Sequence, residues 1–178
     1  MSTNDVADRL TGLRADFDRS FAEPSRSHDL AFAELLAVHA GGRPYALRLS
    51  QASGLHQGRP VTPLPGPQAA LLGVAGFGGA IVPVYDLAAL LGHAVPDRPR
   101  WLVLAAGAPP LAFAFHQLDG HVRVAAADIV EEARTDGGDI LSGMVPLAGG
   151  TRPVIDLPAA RASVHRLTGH HQPTEQER

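Results

Sequence analysis

Two histidines that lie close together in the sequence, His116 and His121, are the residues whose type and spacing best fit metal chemistry. They flank Asp119-Gly120, a dipeptide typical of a tight turn, so on facing strands of a hairpin they could bind one metal ion. No third ligand follows nearby, and half-buried histidines without a metal are the ordinary alternative. A metal-binding or enzymatic protein using His116 and His121 therefore stays open as an alternative, but we predict no bound metal and no cofactor.

Nucleophilic catalysis has little support in this sequence. The chain has no Cys, and it has no Gly-x-Ser-x-Gly motif that would place a serine on a strand-to-helix turn. The segment Gly76-Phe77-Gly78-Gly79 lacks the Gly-Lys-Ser/Thr ending of a phosphate-binding loop and lies between two strand-like runs. We therefore predict that the protein is not an enzyme, and we interpret this segment as a hairpin turn.

Two aspartates that could be taken for a catalytic pair belong instead to an internal repeat. Six identities share one ungapped offset of 70 residues: Gly73 with Gly143, Gly79 with Gly149, Pro83 with Pro153, Val84 with Val154, Asp86 with Asp156, and Leu87 with Leu157. The shared ending Pro-Val-x-Asp-Leu is typical of a strand that leads into a short helix with Asp as its N-cap. The repeat predicts two copies of one small β-barrel, each proline at a strand start or edge, and the two aspartates far apart as helix caps.

Short apolar runs separated by Gly and Pro predict a mainly β chain. The candidate strands are Leu35–Ala40, Tyr45–Leu49, Leu71–Val74, Ala80–Val84, Trp101–Ala105, Leu111–Leu118, His121–Val124, Met144–Leu147 and Pro153–Ile155. Gly41-Gly42 and the segment Gly76 to Gly79 predict two hairpins, because glycine tolerates the positive φ of a tight turn. Connections this short leave no room for βαβ crossovers, so we expect mainly antiparallel sheets.

Both ends of the chain have patterns of their own. An apolar stripe with helical spacing is formed by Val6, Leu10, Leu13, Phe17 and Phe21. It predicts an amphipathic helix, followed by a linker, over residues 1–28. This helix could fold back on its own barrel or dock on a partner or a second copy. Residues 169–178 are polar and are predicted to be a disordered tail.

Composition narrows the compartment and the partners. The formal net charge is -3, and the basic residues are all arginines scattered along the chain, so no basic stripe is available for nucleic acid. The apolar runs are far shorter than the roughly 20 residues that span a bilayer, and Asp5 and Asp8 do not fit a secretory signal. We expect a soluble cytoplasmic protein that neither binds nucleic acid nor inserts into a membrane.

One stretch of the sequence resembles a known family. Gly73-Val74, then Gly79 through Leu87, then Leu91-Gly92 resemble the central signature of CheW-like domains. The resemblance runs without gaps from about Leu35 to Gly92 and more loosely from Trp101 to Ala160. It implies a mainly β fold of two intertwined five-stranded SH3-like β-barrels with short helices.

The resemblance also implies a domain organisation. The CheW-like domain would cover residues 29–168, with the first barrel at about 35–97 and the second at about 98–160. The predicted N-terminal helix precedes this domain, and the predicted tail follows it.

The function implied by the resemblance is that of a non-catalytic scaffold in bacterial chemotaxis or motility. Such a protein couples a methyl-accepting chemoreceptor to a CheA-type histidine kinase in the cytoplasm, where it is recruited to membrane receptor arrays. Carried over by position, the residues facing the kinase regulatory domain are Gly54, Leu55, His56, Leu64, Phe77 and Gly78. The residues facing the receptor's cytoplasmic tip are Ala52, Val74, Phe113, Phe115 and His116.

The sequence departs from the family pattern at charged positions. The segment Gly76 to Gly79 stands where the family typically has Asn-Leu-Arg-Gly, Phe115-His116 where it often has Val-Asp, and Gly54 where Glu is expected. These changes favour an interface held by burial of Leu55 and Phe77, each worth roughly 1.5 to 3 kcal/mol, over exposed ion pairs worth under about 1 kcal/mol. They also leave open a divergent CheW-like protein that binds only one partner and has a specialised or inhibitory role.

Overall fold

The computed structural model describes residues 31–65, 69–94, 99–131 and 140–169. The predicted helix and linker over 1–28 lie outside the described residues, as does the predicted tail over 169–178 except for Gly169, which ends a helix. The strands are β1 Phe32–Ala40, β2 Arg43–Arg48, β3 Ala52–Gln57, β4 Leu71–Phe77, β5 Ala80–Asp86, β6 Trp101–Ala105, β7 Leu111–Phe115, β8 Gln117–Ala125, β9 Val130–Glu131, β10 Leu141–Leu147 and β11 Gly150–Ile155. The helices are α1 Leu87–Leu90 and α2 Leu157–Gly169, and 3-10 turns cover Leu49–Gln51 and Ala126–Asp128.

The strands form two sheets that exchange segments of the chain. One sheet has six strands in the order β8-β1-β2-β11-β10-β9, and the other has five in the order β3-β6-β7-β5-β4. This division differs from the predicted barrel bounds of 35–97 and 98–160: β1 and β2 pair with C-terminal strands, while β6 and β7 belong with β3 to β5. The predicted bounds are therefore corrected. The reason is two parallel pairings, β2 with β11 and β5 with β7, which sequence spacing does not reveal.

The internal repeat is a structural repeat as well. Gly73 and Gly143 each lie at a register shift in the first strand of a hairpin. The backbone N–H groups of Asp86 and Asp156 donate over 2.8 Å to the carbonyls of Ala70 and Ile140, which are again 70 residues apart. The two copies therefore share backbone hydrogen bonding as well as residue types.

The two prolines of the repeat are exceptions to the predicted strand positions. Pro83 and Pro153 lie inside β5 and β11, which are interior strands, and not at a strand start or a sheet edge. The parallel pairing of each strand starts one residue later, at Val84 and Val154. Each proline, which has no N–H to donate, therefore precedes the parallel pairing and does not interrupt its hydrogen bonds.

The predicted hairpins are confirmed, but one predicted turn is wrong. β1 pairs antiparallel with β2 across Gly41-Gly42, and β4 pairs with β5 across Gly78-Gly79. Asp119-Gly120 instead lies within the continuous strand β8, at a register shift opposite Ala37 and Val38. Gly120 has φ 156°, a value that residues with a side chain rarely adopt, so the glycine suits this bulge as well as it would suit a turn.

The core is shared by both sheets. One buried cluster joins Leu36 and Leu47 of the six-stranded sheet to Val103 and Phe113 of the five-stranded sheet. A second cluster lies within the five-stranded sheet and includes Phe77. The ring of Phe77 on edge strand β4 lies 4.9 Å, centroid to centroid, from the ring of His56 on the opposite edge strand β3. This sheet therefore curls until its two edges meet.

Candidate functional site

The residues predicted to face a kinase come together only in part. His56, Phe77 and Gly78 meet at one end of the five-stranded sheet, where Gly78 forms the exposed turn between β4 and β5. We call this place the Phe77 rim, formed by His56, Phe77 and Gly78. Gly54 and Leu55 are half-buried on β3, and Leu55 packs against the shared core.

Leu64 lies away from the rim. The antiparallel bridge between Thr62 and Val74 directs the chain along β4, so residues after Thr62 approach the start of β4 and not its Phe77 end. Leu64 is 44% exposed, which keeps it available to a partner. A partner that covers both places must therefore extend along β4.

The expected contribution of Phe77 to partner binding is corrected by its burial within the chain. Phe77 is only 9% exposed within the chain itself, because its side chain belongs to the core of the five-stranded sheet. A partner can therefore bury little more of it. Ile81, which pairs with Gly76 across the hairpin, is 77% exposed and offers much more apolar surface. In the sequence Ile81 lies in an uninterrupted apolar run, so no apolar/polar alternation there marks it as exposed.

Arg59 is a rim residue that the sequence reasoning missed. Its guanidinium Cζ lies 4.9 Å from the centroid of the Phe77 ring, and its Nη1 donates to the carbonyl of Gly76 over 2.6 Å. The hydrogen bond joins residues 17 positions apart, and Arg59 itself lies outside the strands and helices. Nothing in the local sequence pattern indicates these contacts.

The predicted receptor-facing set contains two residues that cannot face a partner. Phe113 and Phe115 are both 0% exposed, and all five residues of β7 are buried. β7 is an interior strand between β6 and β5, so its side chains meet neighbouring side chains on both faces. These two assignments are corrected to core positions. Ala52 and Val74 are half-buried, on β3 and β4 respectively.

His116, the fifth predicted residue, lies in the wall of a groove between the sheets. The groove has a volume of about 1040 Å³ and is lined by Gln57, Gly58, Pro99, Arg100, Trp101, His116, Gln117 and Leu118. We call it the junction groove, because Gln57 and Trp101 belong to the five-stranded sheet and Leu118 to the six-stranded one. Trp101 stacks on buried Phe115 with ring centroids 6.4 Å apart, which anchors this wall to the core.

The two repeated aspartates are helix caps, as predicted. Asp86 Oδ1 accepts hydrogen bonds from the N–H groups of Ala88 and Ala89 at 2.7 and 3.2 Å. Asp156 Oδ1 accepts from the N–H of Ala159 at 3.2 Å. Burial raises the pKa of Asp86, although the two N–H donors and nearby His116 oppose that effect. Because these caps start different helices at the ends of different sheets, they do not form a catalytic pair.

The geometry does not support the metal alternative for His116 and His121. β8 runs through the predicted turn and His116 lies in the bend just before it, so the two histidines do not face each other across a hairpin. The strand from Gln117 to His121 alone spans roughly 13 Å, too far for two ligands of one ion. His121 Nε2 lies 3.8 Å from Glu34 Oε2. Across the four described ranges, no group of three or more His, Asp or Glu side chains could hold a metal.

A second polar cluster lies on the six-stranded sheet, around Asp119. Its carboxylate accepts hydrogen bonds from Arg152 Nη1 and Gln117 Nε2, both at 2.7 Å, and His39 Nδ1 lies 3.4 Å away. Burial works to raise the pKa of Asp119, but these hydrogen bonds and the neighbouring positive charge outweigh it, so the pKa is lowered. The cluster links β8 to β11 across two intervening strands, so its role is to stabilise the sheet.

Comparison with known proteins agrees with this geometry. A family model, the CheW-like domain, matches residues 34–163, and the chain belongs to that family. Its structure is similar to the crystal structure of scaffolding protein TtCheW from Thermoanaerobacter tengcongensis, with a TM-score of 0.60 and 12% identity over 69% of this chain and 88% of that chain. A search of curated proteins found no match.

These findings confirm the predicted fold class and the absence of catalysis. In the ranges that the structure describes, the protein is mainly β with a CheW-like arrangement of two sheets and few helices. As a CheW-family protein it is a non-catalytic scaffold of the chemotaxis type. No helix in the described part of the chain is long and apolar enough to cross a membrane.

Proposed function

We propose that this protein couples a methyl-accepting chemoreceptor to a CheA-type histidine kinase at cytoplasmic receptor arrays, in chemotaxis or a related motility pathway. The observation that carries the proposal is the family match over residues 34–163, which spans both sheets and therefore both candidate surfaces. A coupling protein must hold two partners at once. The Phe77 rim and the junction groove offer two separate places to do so.

In this proposal the kinase regulatory domain docks on the Phe77 rim. His56, Phe77 and Gly78 lie there together, and Ile81 adds a highly exposed aliphatic side chain. Full burial of an isoleucine side chain is worth roughly 1.5 to 3 kcal/mol. Gly54, Leu55 and Leu64 extend the contact along β3 and β4.

The receptor tip is proposed to enter the junction groove. A volume of about 1040 Å³ accommodates several side chains of a helical hairpin, and Trp101 and Leu118 provide apolar contacts. His116 lies in the same wall. Ala52 and Val74 lie on the flanking strands and contribute to the surrounding surface.

The two surfaces are joined through one strand. In β3, His56 contacts Phe77 at the rim, while its neighbour Gln57 lines the junction groove. A shift of β3 caused by one partner would therefore move the binding surface of the other. Such coupling works by a change in conformer populations and needs no chemical step.

Binding measurements with surface variants test the proposal. Ile81→Asp should weaken binding of the kinase regulatory domain and spare the receptor hairpin, and Gln57→Trp should obstruct the groove with the opposite result. Val130→Asp is the matched control for Ile81→Asp, since Val130 is 64% exposed on the other sheet. Failure of the wild-type protein to bind either partner would overturn the proposal.

A role restricted to one partner is the second candidate, favoured by the turn Gly78-Gly79, which carries no side chain. If the missing arginine limits partner choice, Gly78→Arg should widen the range of kinases bound. Gly78 has φ 54°, so any side chain there strains the backbone. Gly78→Ala has the same strain without the guanidinium and is the control. Equal binding by both variants would contradict this candidate.

A further inference from the structure

Arg59 is held at the Phe77 rim in a fixed orientation. One nitrogen, Nη1, is bonded to the carbonyl of Gly76 at 2.6 Å, and the guanidinium carbon lies 4.9 Å from the centre of the Phe77 ring. A hydrogen bond combined with a cation–π contact restricts a side chain that is otherwise very flexible. Arg59 is therefore already ordered in the free protein, so a partner that binds it loses little additional side-chain entropy.

The charge of Arg59 is not balanced by a carboxylate in the part of the chain that the structure describes. Arg48 pairs there with Glu131 and Arg152 with Asp119, whereas the contacts of Arg59 are the Gly76 carbonyl and the Phe77 ring. A guanidinium has five N–H donors in a planar fork. The single hydrogen bond to Gly76 leaves most of these donors for another acceptor, and Arg59 is exposed.

The surroundings of this guanidinium are apolar and concave. A cavity of about 480 Å³ adjoins it, lined by Arg59, Pro60, Val61, Pro63, Leu72 and Pro99. Arg59 donates to the carbonyl of Gly76, and Gly76 pairs with Ile81 on the neighbouring strand. The side chain of Ile81 is 77% exposed. An oriented cation beside exposed apolar groups matches a segment that carries a carboxylate next to an apolar side chain.

We propose that Arg59 binds an Asp or Glu carboxylate of the protein that docks on the Phe77 rim. This inference rests on the proposed function and adds to it the chemistry of the kinase segment: an acidic side chain flanked by an apolar one. The fork of Arg59 accommodates both carboxylate oxygens, which a lysine cannot do in the same geometry. Arg59 thereby brings to the rim the charged contact that the segment Gly76 to Gly79 lacks.

The test measures the Kd for the regulatory domain of the CheA-type kinase from the same genome, by calorimetry over a range of NaCl concentrations. Arg59→Gln should raise Kd about tenfold or more, because a charge-assisted hydrogen bond is lost, and should flatten the dependence of Kd on salt. Arg59→Lys should raise Kd less, since the charge remains, and should keep the salt dependence.

Arg123→Gln is the matched control. The guanidinium of Arg123 lies 4.1 Å from the ring centroid of Phe32, so this variant also removes an exposed cation–π contact, but from the six-stranded sheet. It should leave Kd and its salt dependence unchanged. Melting curves of all variants establish that they are folded, and Arg59→Lys still tests the fork if Arg59→Gln unfolds.

The outcomes separate this inference from the proposed function. If the wild-type protein binds the kinase domain and Arg59→Gln binds with the same Kd and salt dependence, the role of Arg59 is wrong and the coupling function stands. Equal losses in Arg59→Gln and Arg123→Gln would also overturn the role of Arg59, because they would reflect overall charge. Absence of wild-type binding would reject the coupling function itself.

Discussion

The first and second copies of the repeat present the same cap aspartate in different surroundings. Asp86 is fully buried, its Oδ1 caps α1, and its Oδ2 has no hydrogen-bond partner within the described residues. Asp156 shares its Oδ1 with Gln51, whose Nε2 donates to it at 3.3 Å. Gln51 Oε1 also accepts the N–H of Leu157 at 3.1 Å. One cap is therefore local, and the other is braced by a side chain 105 residues away.

This difference shows that the repeated motif determines where the aspartate caps a helix, but not how much the cap contributes to the stability of the fold. In both copies an aspartate immediately precedes a helix, because its carboxylate satisfies N–H groups that have no partner within the helix. The environment decides the rest. The carboxylate of Asp86 lies in an apolar setting that raises its pKa, whereas that of Asp156 is hydrogen-bonded to Gln51, in the turn before β3.

The largest loss of stability is expected when the glycine at the register shift is replaced, because this glycine is the feature that the two copies share most closely. A Cβ added at Gly73 would lie 2.0 Å from the Thr62 carbonyl oxygen, and one at Gly143 would lie 2.2 Å from the Val130 oxygen. Both oxygens belong to the backbone, so Gly73→Ala and Gly143→Ala should each destabilise the fold by about 3 kcal/mol or prevent folding.

Urea unfolding of these two variants checks this expectation, with Gly76→Ala as the control because a Cβ there meets nothing within 4 Å. The control should change the free energy of unfolding by under about 0.5 kcal/mol. A tolerated alanine in one copy only would show that the repeat is less symmetric than its backbone indicates.

A smaller effect is expected from removal of the caps. Asp86→Ala leaves the N–H groups of Ala88 and Ala89 without their acceptor and should cost about 1 to 2 kcal/mol in thermal or urea unfolding. Asp156→Ala should cost less, because Gln51 still accepts the N–H of Leu157. The reverse order would mean that the bracing by Gln51 does not stabilise the second cap.

The brace itself should contribute about 1 kcal/mol. Gln51→Ala removes the hydrogen bonds to Asp156 and Leu157, and its effect should not add to that of Asp156→Ala. A double-mutant cycle measures this coupling. The same cycle between Gln51 and Asp86 is the control and should be additive, so coupling of equal size in both cycles would contradict a specific brace.

The smallest effects are expected in the dependence of stability on pH, where two aspartates should act in opposite directions. Because the folded pKa of Asp86 is raised, its contribution to stability is present below the unfolded pKa of about 3.9 and is lost as pH rises through the folded pKa. Asp86→Asn should therefore gain stability relative to the wild-type protein as pH rises from about 4 to 7.

Asp119 provides the opposite case, because its folded pKa is lowered. Its contribution is present above the unfolded pKa of about 3.9 and is lost as pH falls through the folded value. Asp119→Asn should be less stable than the wild-type protein near neutral pH, with a deficit that disappears in acid. Urea titrations at a series of pH values check both aspartates, and parallel curves for either variant and the wild-type protein would contradict the assignment.

The parts of the fold that sequence predicts well are those set by neighbouring residues. The hairpins at Gly41-Gly42 and Gly78-Gly79 follow from turn chemistry, and the capping aspartates follow from the repeat. β3 has little alternation and contains Gly54, so no strand was predicted there. Asp119-Gly120 has the composition of a turn but forms a bulge, because β8 must follow the whole length of β1.

The candidate site was harder to predict than the fold because it depends on contacts between distant residues. The resemblance placed His56 and Phe77 on one surface, and the structure brings them into contact. It also assigned Phe113 to a surface, although the parallel pairing of β5 with β7 encloses that strand. Arg59 reaches Phe77 through a loop without periodicity, so no pattern in the sequence indicates its role.

The parallel pairing of β2 with β11 has a consequence for biosynthesis. β2 ends at Arg48 and β11 begins at Gly150, so β2 leaves the ribosome about 100 residues before its neighbour is made. At about 5 to 20 residues per second, this delay is roughly 5 to 20 s. Residues 52–115 contain every strand of the five-stranded sheet and can assemble during that wait, whereas β2 keeps an open edge until β11 has been made. Nascent chains stalled shortly before Gly150 should therefore be the species most exposed to aggregation and most dependent on chaperones.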